Sequence, residues 1–172
     1  MKKLMVLAIT GIMVILTASQ TMAMYLEVGG KDSYEAGFYG QTSSLAIGKK
    51  VSENVSVEMG YLGGTVSGSD EYTTVEGTIG AIGADVVGYK KMGNVSVHAG
   101  IGVYYGAYDV KAETEIPNYN YYATPYRSKV EVSGYDVYLP ISAGVDFETG
   151  NVSIGVNYHQ LRGASVKIGV RF

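Results

Sequence analysis

The sequence predicts an all-β chain, an eight-stranded antiparallel up-and-down transmembrane β-barrel. Three observations predict it. Apolar and polar residues alternate with a period of two through eight segments after residue 23. Short and long connections alternate between those segments until the last hairpin. An export leader precedes them all. Two domains follow: a cleaved signal peptide at 1–23 and a barrel at 24–172.

The leader, "MKKLMVLAITGIMVILTASQTMA", sets Lys2 and Lys3 before an apolar run from Leu4 to Leu16, then a small-residue site at Thr21 and Ala23. The run is shorter than the roughly 20 residues of a spanning helix, so cleavage after Ala23 is expected rather than an anchor. Its loss removes two of the 13 basic residues and none of the 16 acidic ones, moving the formal charge from −3 to −5. An acidic exported chain is not a nucleic-acid binder. With 0 cysteines there is no disulfide framework and no thiolate chemistry. Charged residues make up 17% of the chain, below the roughly 25% of ordinary soluble domains.

The elements follow in order. "MYLEVGGK" at 24–31 and "SSLAIGKKV" at 43–51 are the first two strands. In "NVSVEMGYL", Val55, Val57, Met59 and Tyr61 alternate with Ser56, Glu58 and Gly60. The segment 73–90 has no settled register: Val75, Ile79, Val87 and Tyr89 share a parity with Asp85, and a bulge near Gly83 would turn Asp85 inward. "NVSVHAGIGVYYG" sets Val95 to Tyr105 on one parity against Ser96, His98, Gly100, Gly102 and Tyr104. "YDVYLPISAGVDF" sets Val137 to Phe147 against Asp136, Tyr138, Ser142 and Asp146. "NVSIGVNYH" and "SVKIGVRF" complete the set. Three-residue loops are expected at 52–54, 91–93 and 161–163, with a two-residue turn at 149–150. Long connections fall at about 32–42, 63–72 and 109–130.

Alternation alone does not say which face is outside. Three features point to lipid. The polar face is rich in Gly, Ser and Tyr, as a narrow lumen needs. Aromatics close the apolar face at both ends: Tyr89, Phe147 and Phe172 at the short-turn end, Tyr61, Tyr105 and Tyr158 at the other. The strands are also longer than the 5–6 residues typical of globular sheets and suit a tilted crossing.

The alternation runs to the last residue through Val166, Ile168, Val170 and Phe172. An open edge in hydrocarbon would strand backbone groups, so the last strand is expected to pair with the first. Here the chain resembles the small eight-stranded outer-membrane barrels of the OmpA transmembrane-domain and OmpX/Ail type, over essentially all of 24–172. The resemblance implies that Val166, Ile168, Val170 and Phe172 are read by the barrel-assembly machinery. It also implies an outer-membrane location and outer-membrane lipid as surroundings; no peptidoglycan-binding domain is expected after the barrel. It does not fix a function, because that family includes adhesins, complement-evasion proteins, structural proteins and lipid A enzymes.

The candidate site residues fall in three groups. Glu27, Glu58, His98, Asp136, Asp146, Lys167 and Arg171 are expected to form a lumen polar network, the charges paired because they are enclosed. Tyr119, Tyr121, Tyr122 and Tyr126 in the third outer loop are the expected contact patch for a host or cell-surface ligand. With a three-residue "LRG" loop, His159 faces Ser165 at the outer end of the lumen, and Asp136 is the nearest acid to orient the imidazole. That set is the alternative, a lipid A deacylase or acyltransferase. The deacylases it resembles carry His and Ser two apart on one strand, which His159, Gln160, Leu161 does not match. A narrow channel is a weaker alternative, since eight strands enclose an interior that side chains fill. The expected protein is a non-enzymatic, monomeric surface barrel for envelope integrity or adhesion, with no cofactor and no metal.

Overall fold

The structure, a computed structural model, describes residues 24–35, 38–116 and 126–171. The leader at 1–23 lies outside the described residues, as do Tyr119, Tyr121, Tyr122 and Phe172. The strands are β1 (Met24–Glu35), β2 (Phe38–Ser52), β3 (Val55–Ser69), β4 (Thr73–Met92), β5 (Val95–Ile116), β6 (Tyr126–Tyr138), β7 (Ile141–Thr149), β8 (Val152–His159) and β9 (Gly163–Val170). All pairings are antiparallel.

β6 and β7 lie end to end along β5, parted at Leu139 and Pro140. Proline has no N–H for the ladder, so the strand breaks there. The Pro140 carbonyl still accepts the Gly102 N–H at 2.9 Å. The two segments make one crossing, and the sheet is a closed eight-stranded barrel. Closure runs from Met24↔Val170 to Gly30↔Ala164 between β1 and β9, so the belt has no open edge. Val166, Ile168 and Val170 stand in that seam with exposed outward side chains.

Two of the tight turns are shorter than expected, and the two-residue turn expected at 149–150 lies one residue later. Ser52 pairs with Val55, Met92 with Val95, and Thr149 with Val152, which leaves two-residue turns at 53–54, 93–94 and 150–151. Gly93 and Gly150 take φ of 66° and 58° at the first turn position, the conformation a two-residue hairpin asks of glycine. The last turn does hold three residues, but they are Gln160, Leu161 and Arg162, closed by His159↔Gly163.

The faces of the sheet exchange polarity part-way up. On β5 the outward side chains Ile101 and Val103 are exposed and apolar, while inward Ser96, His98 and Tyr104 are buried. Beyond Tyr105 the outward positions become Asp109, Lys111, Glu113 and Glu115, and the inward ones Val110 and Ala112. β6 switches likewise, from outward Val137 and Tyr135 to Ser133, Glu131, Lys129 and Arg127. The outward band is therefore apolar below the tyrosines, and the sheet above them is charged outside. Tyr105 and Tyr135 mark the level, stacked with ring centroids 5.6 Å apart. Tyr61 and Tyr158 are outward and exposed, and Phe147 is outward at the other end. Above that level β1 to β6 continue as a protruding sheet, while β8 and β9 stop at the turn after His159.

Two expectations about 73–90 are corrected. β4 pairs with β3 from Val55↔Gly88 to Ser69↔Thr74 in one unbroken register, so no bulge forms near Gly83. Asp85 is buried in the lumen together with Val87 and Tyr89, so Tyr89 is not part of an outward aromatic girdle.

Candidate functional site

The outer half of the lumen is organised by an arginine from a turn. Gly163 at φ 82° turns the chain into β9, and Arg162, one residue earlier, folds down the barrel axis until it is 1% exposed. Its Nη1 donates to Glu27 Oε1 on β1 at 3.0 Å, and its Nη2 donates to Glu58 on β3 and lies 3.5 Å from Asp85 Oδ2 on β4. The Ser44 hydroxyl on β2 caps the Arg162 carbonyl at 3.2 Å. Gly60 makes the room: a Cβ there would strike the Tyr104 hydroxyl and press on the arginine side chain. Leu161 packs on Leu62, Ala81 and Tyr104 and lids the group.

The carboxylates are further satisfied from β5, β8 and β9. The Tyr104 hydroxyl donates to Asp85 Oδ2 at 2.6 Å. Ser165 donates to Glu27 at 2.7 Å, and the Asn157 amide donates to both Glu27 oxygens at 3.1 and 3.2 Å. Charges this deep persist only when paired and hydrogen-bonded, and here one guanidinium and these neutral donors share three carboxylates.

His159 belongs to the same network, and its geometry argues against catalysis. Its Nδ1 accepts the backbone N–H of Leu161 at 3.2 Å and of Arg162 at 3.0 Å, so it carries no proton. The proton is on Nε2, which donates to Asp85 Oδ1 at 3.1 Å. Both nitrogens are engaged within this network, and no serine hydroxyl is paired with either among the described residues. Ser165 is opposite Asn157, not His159, because the turn is 160–162 rather than 161–163. Asp136 is exposed on β6 and does not touch the imidazole; Asp85 does. The expected His159–Ser165–Asp136 grouping is thus not brought together.

A second cluster fills the short-turn end. Lys167 binds Asp146 at 2.7 Å and lies over the Tyr25 and Tyr89 rings, 4.8 and 5.1 Å from their centroids. His98 Nδ1 stands 3.6 Å from Asp146 Oδ2. The Tyr25 and Ser56 hydroxyls are 2.9 Å apart, and Ser56 reaches the Tyr89 hydroxyl at 3.2 Å. Glu148 takes Lys50 at 3.1 Å and Lys91 at 2.5 Å.

Of the lumen set read from sequence, Glu27, Glu58, His98, Asp146 and Lys167 are buried inside. Two placements are corrected. Asp136 is exposed on β6 opposite Gly106, at the level of the Tyr105–Tyr135 pair rather than within the buried network. Arg171 sits at the rim, its side chain 54% exposed. Sequence reasoning missed Arg162, read only as a turn residue, and left Asp85 undecided. The one available signal was an excess of inward acids over Lys167, the inward strand cation that stands opposite Glu27. Tyr126 is exposed at the start of β6, opposite Ile116. No group of three or more metal-ligating side chains is assembled among the described residues.

No protein-family model matches the sequence, and no curated protein matches it. Solved structures do. Neisserial surface protein A (NspA) aligns at 15% identity over 90% of this chain and 98% of its own, with a TM-score of 0.52. Ail, the attachment invasion locus protein of Yersinia pestis, aligns at 14% identity over 88% of this chain and 97% of its own, at 0.48. A major outer membrane protein of Thermus thermophilus aligns at 14% identity over 89% and 100%, at 0.47. At these identities the likeness is one of fold. The chain has the architecture of the small eight-stranded outer-membrane barrels.

Proposed function

We propose that this protein is a non-enzymatic outer-membrane barrel that holds a surface-exposed sheet and its loops clear of the bilayer, serving envelope integrity or adhesion. The observation that carries this reading is the exchange of faces at the tyrosine level. An apolar band suits lipid. A sheet that turns charged side chains outward above it suits water and contact with other surfaces. The outer-membrane location and surrounding lipid follow from that band. Assembly would use the terminal alternation at Val166, Ile168, Val170 and Phe172, and one chain closes the barrel, in keeping with a monomer. Tyr126, exposed at the start of β6, together with Tyr119, Tyr121 and Tyr122 of the preceding loop sequence, is the proposed contact patch for a host or cell-surface ligand.

The test deletes 113–128 and compares cells carrying the deletion with wild type. Binding to host or bacterial surfaces should fall while heat-dependent gel migration, the mark of a folded barrel, persists. Unchanged binding and unchanged detergent sensitivity would remove the surface role. Lipid A mass spectra from cells with wild type, His159→Ala or neither should be identical; an acyl change seen only with wild type would instead establish an enzyme.

A further inference from the structure

The short-turn mouth of the barrel carries more positive charge than its own carboxylates neutralise. Glu148 Oε1 accepts Lys50 Nζ at 3.1 Å and the Ser96 hydroxyl at 3.4 Å. Its Oε2 accepts Lys91 Nζ at 2.5 Å and lies 3.9 Å from an Arg171 guanidinium nitrogen. Three cations therefore converge on one carboxylate. The adjoining Lys167–Asp146 pair is neutral as a unit. Four cations against two carboxylates leave an excess of two positive charges.

Three of the four cations, Lys50, Lys167 and Arg171, border an open recess together with both carboxylates, which leaves it an excess of one positive charge. Arg171 is the cation with freedom to spare. Its side chain is 54% exposed, and at 3.9 Å its contact with Glu148 is Coulombic rather than a hydrogen bond. A planar guanidinium presents a fork of N–H groups that favours a bidentate oxyanion, and phosphate geometry matches it. The lip of the recess is apolar: Met24 and Val152 line it and are 42% and 41% exposed on the outward face. A polar, cationic recess that opens beside apolar surface suits a phosphate group whose other end is greasy.

We propose that this mouth is a binding site for a phosphate group, held by Arg171 and Lys50 with Lys167 behind them. Two sources share that chemistry: the headgroup of an anionic phospholipid in the inner leaflet, and free phosphate. The lipid source rests on the membrane placement proposed above; the free anion does not.

The sequence makes the test direct, because its only arginines are Arg127, Arg162 and Arg171. Protein labelled with ¹⁵N-arginine is placed in phosphatidylcholine nanodiscs in phosphate-free buffer. One arm titrates inorganic phosphate; the other replaces part of the lipid with phosphatidylglycerol. Chloride at matched ionic strength is the reference. The expected result is a saturable shift of the Arg171 Nε–H signal, with Arg127 and Arg162 unmoved. A shift with inorganic phosphate identifies a free-anion site, and a shift with phosphatidylglycerol alone identifies a lipid-headgroup site. Lys50→Gln should weaken binding about tenfold, the loss of one charge-assisted hydrogen bond, while the heat-dependent gel shift shows that it still folds. No saturable shift in either arm, the same shift with chloride, an equal shift at Arg127, or undiminished binding by Lys50→Gln would overturn the proposal.

Discussion

The lower barrel and the protruding sheet are built from the same strands, yet they solve opposite problems. On β5, residues up to Tyr105 hide the polar Ser96, His98 and Tyr104 inside and show Ile101 and Val103 outside. A few residues later the same strand shows Lys111 and Glu113 outside and turns Val110 and Ala112 inward. Ion pairs differ in the same way. Arg162 meets Glu27, Glu58 and Asp85 with every partner at 3% exposure or less. Lys129–Glu113 and Arg127–Glu115 sit in solvent with side chains 47 to 71% exposed. Solvent alone decides both the facing of the residues and the worth of their contacts.

The sharpest way to break this contrast is at Arg162. Arg162→Ala leaves three buried carboxylates without their guanidinium and should cost about 3–5 kcal/mol, read as a lower urea midpoint in lipid. Arg127→Ala on the protruding sheet should leave that midpoint unchanged within error. Equal effects would mean that the lumen is wetter than its burial implies.

The next effect lies on the lipid face. Ile101→Arg, in the middle of the apolar band, should cost about 2–4 kcal/mol, whereas Thr78→Arg above the tyrosines should cost about 0–1 kcal/mol. Refolding equilibria of both variants in the same bilayer give the comparison. At the boundary itself, Tyr135→Ala removes the ring stacked on Tyr105 and should cost about 0.5–1.5 kcal/mol beyond lost area.

How much of this was legible beforehand depended on whether a single rule covered the strand. The last strand obeys one rule throughout, with Val166, Ile168 and Val170 out and Lys167 in, so its alternation could be read to the end. β4 obeys two. Val75 and Ile79 point inward because that stretch lies above the belt, while Asp85 points inward because it lies within it. Apolar and acidic residues therefore share a parity, and no reading that equates apolar with outside can place them. Tyr89 was misplaced for the same reason. The lumen acids on regular strands were readable by parity, but Arg162 was not, because a turn residue has no parity. Moving the turn by one residue also moves Ser165 from His159 to Asn157 without changing which face it occupies. Alternation is blind to such a two-residue slip.

The smallest effect lies in the second outer turn. The backbone N–H groups of Tyr72 and Thr73 donate to Asp70 Oδ1 at 2.9 and 2.6 Å and hold its carboxyl below the usual range. A depressed folded pKa means that the turn's stabilisation is complete above the ordinary carboxylate pKa and is lost as pH falls through the lowered one. The Tyr72 and Thr73 amide shifts should therefore stay constant from neutral pH to about 4 and move only in stronger acid. Movement already near neutral pH would deny the Asp70 cap.

The exchange of faces can be measured directly with spin labels placed singly along β5 in lipid vesicles. Oxygen and a water-soluble nickel chelate report lipid and water at each site. Outward labels at 101 and 103 should favour oxygen, those at 109, 111 and 113 the chelate, with the crossover at Tyr105 to Ala107. A lipid signature that continues through 111, or a water signature at 101, would contradict the placement of the membrane on which the whole account stands.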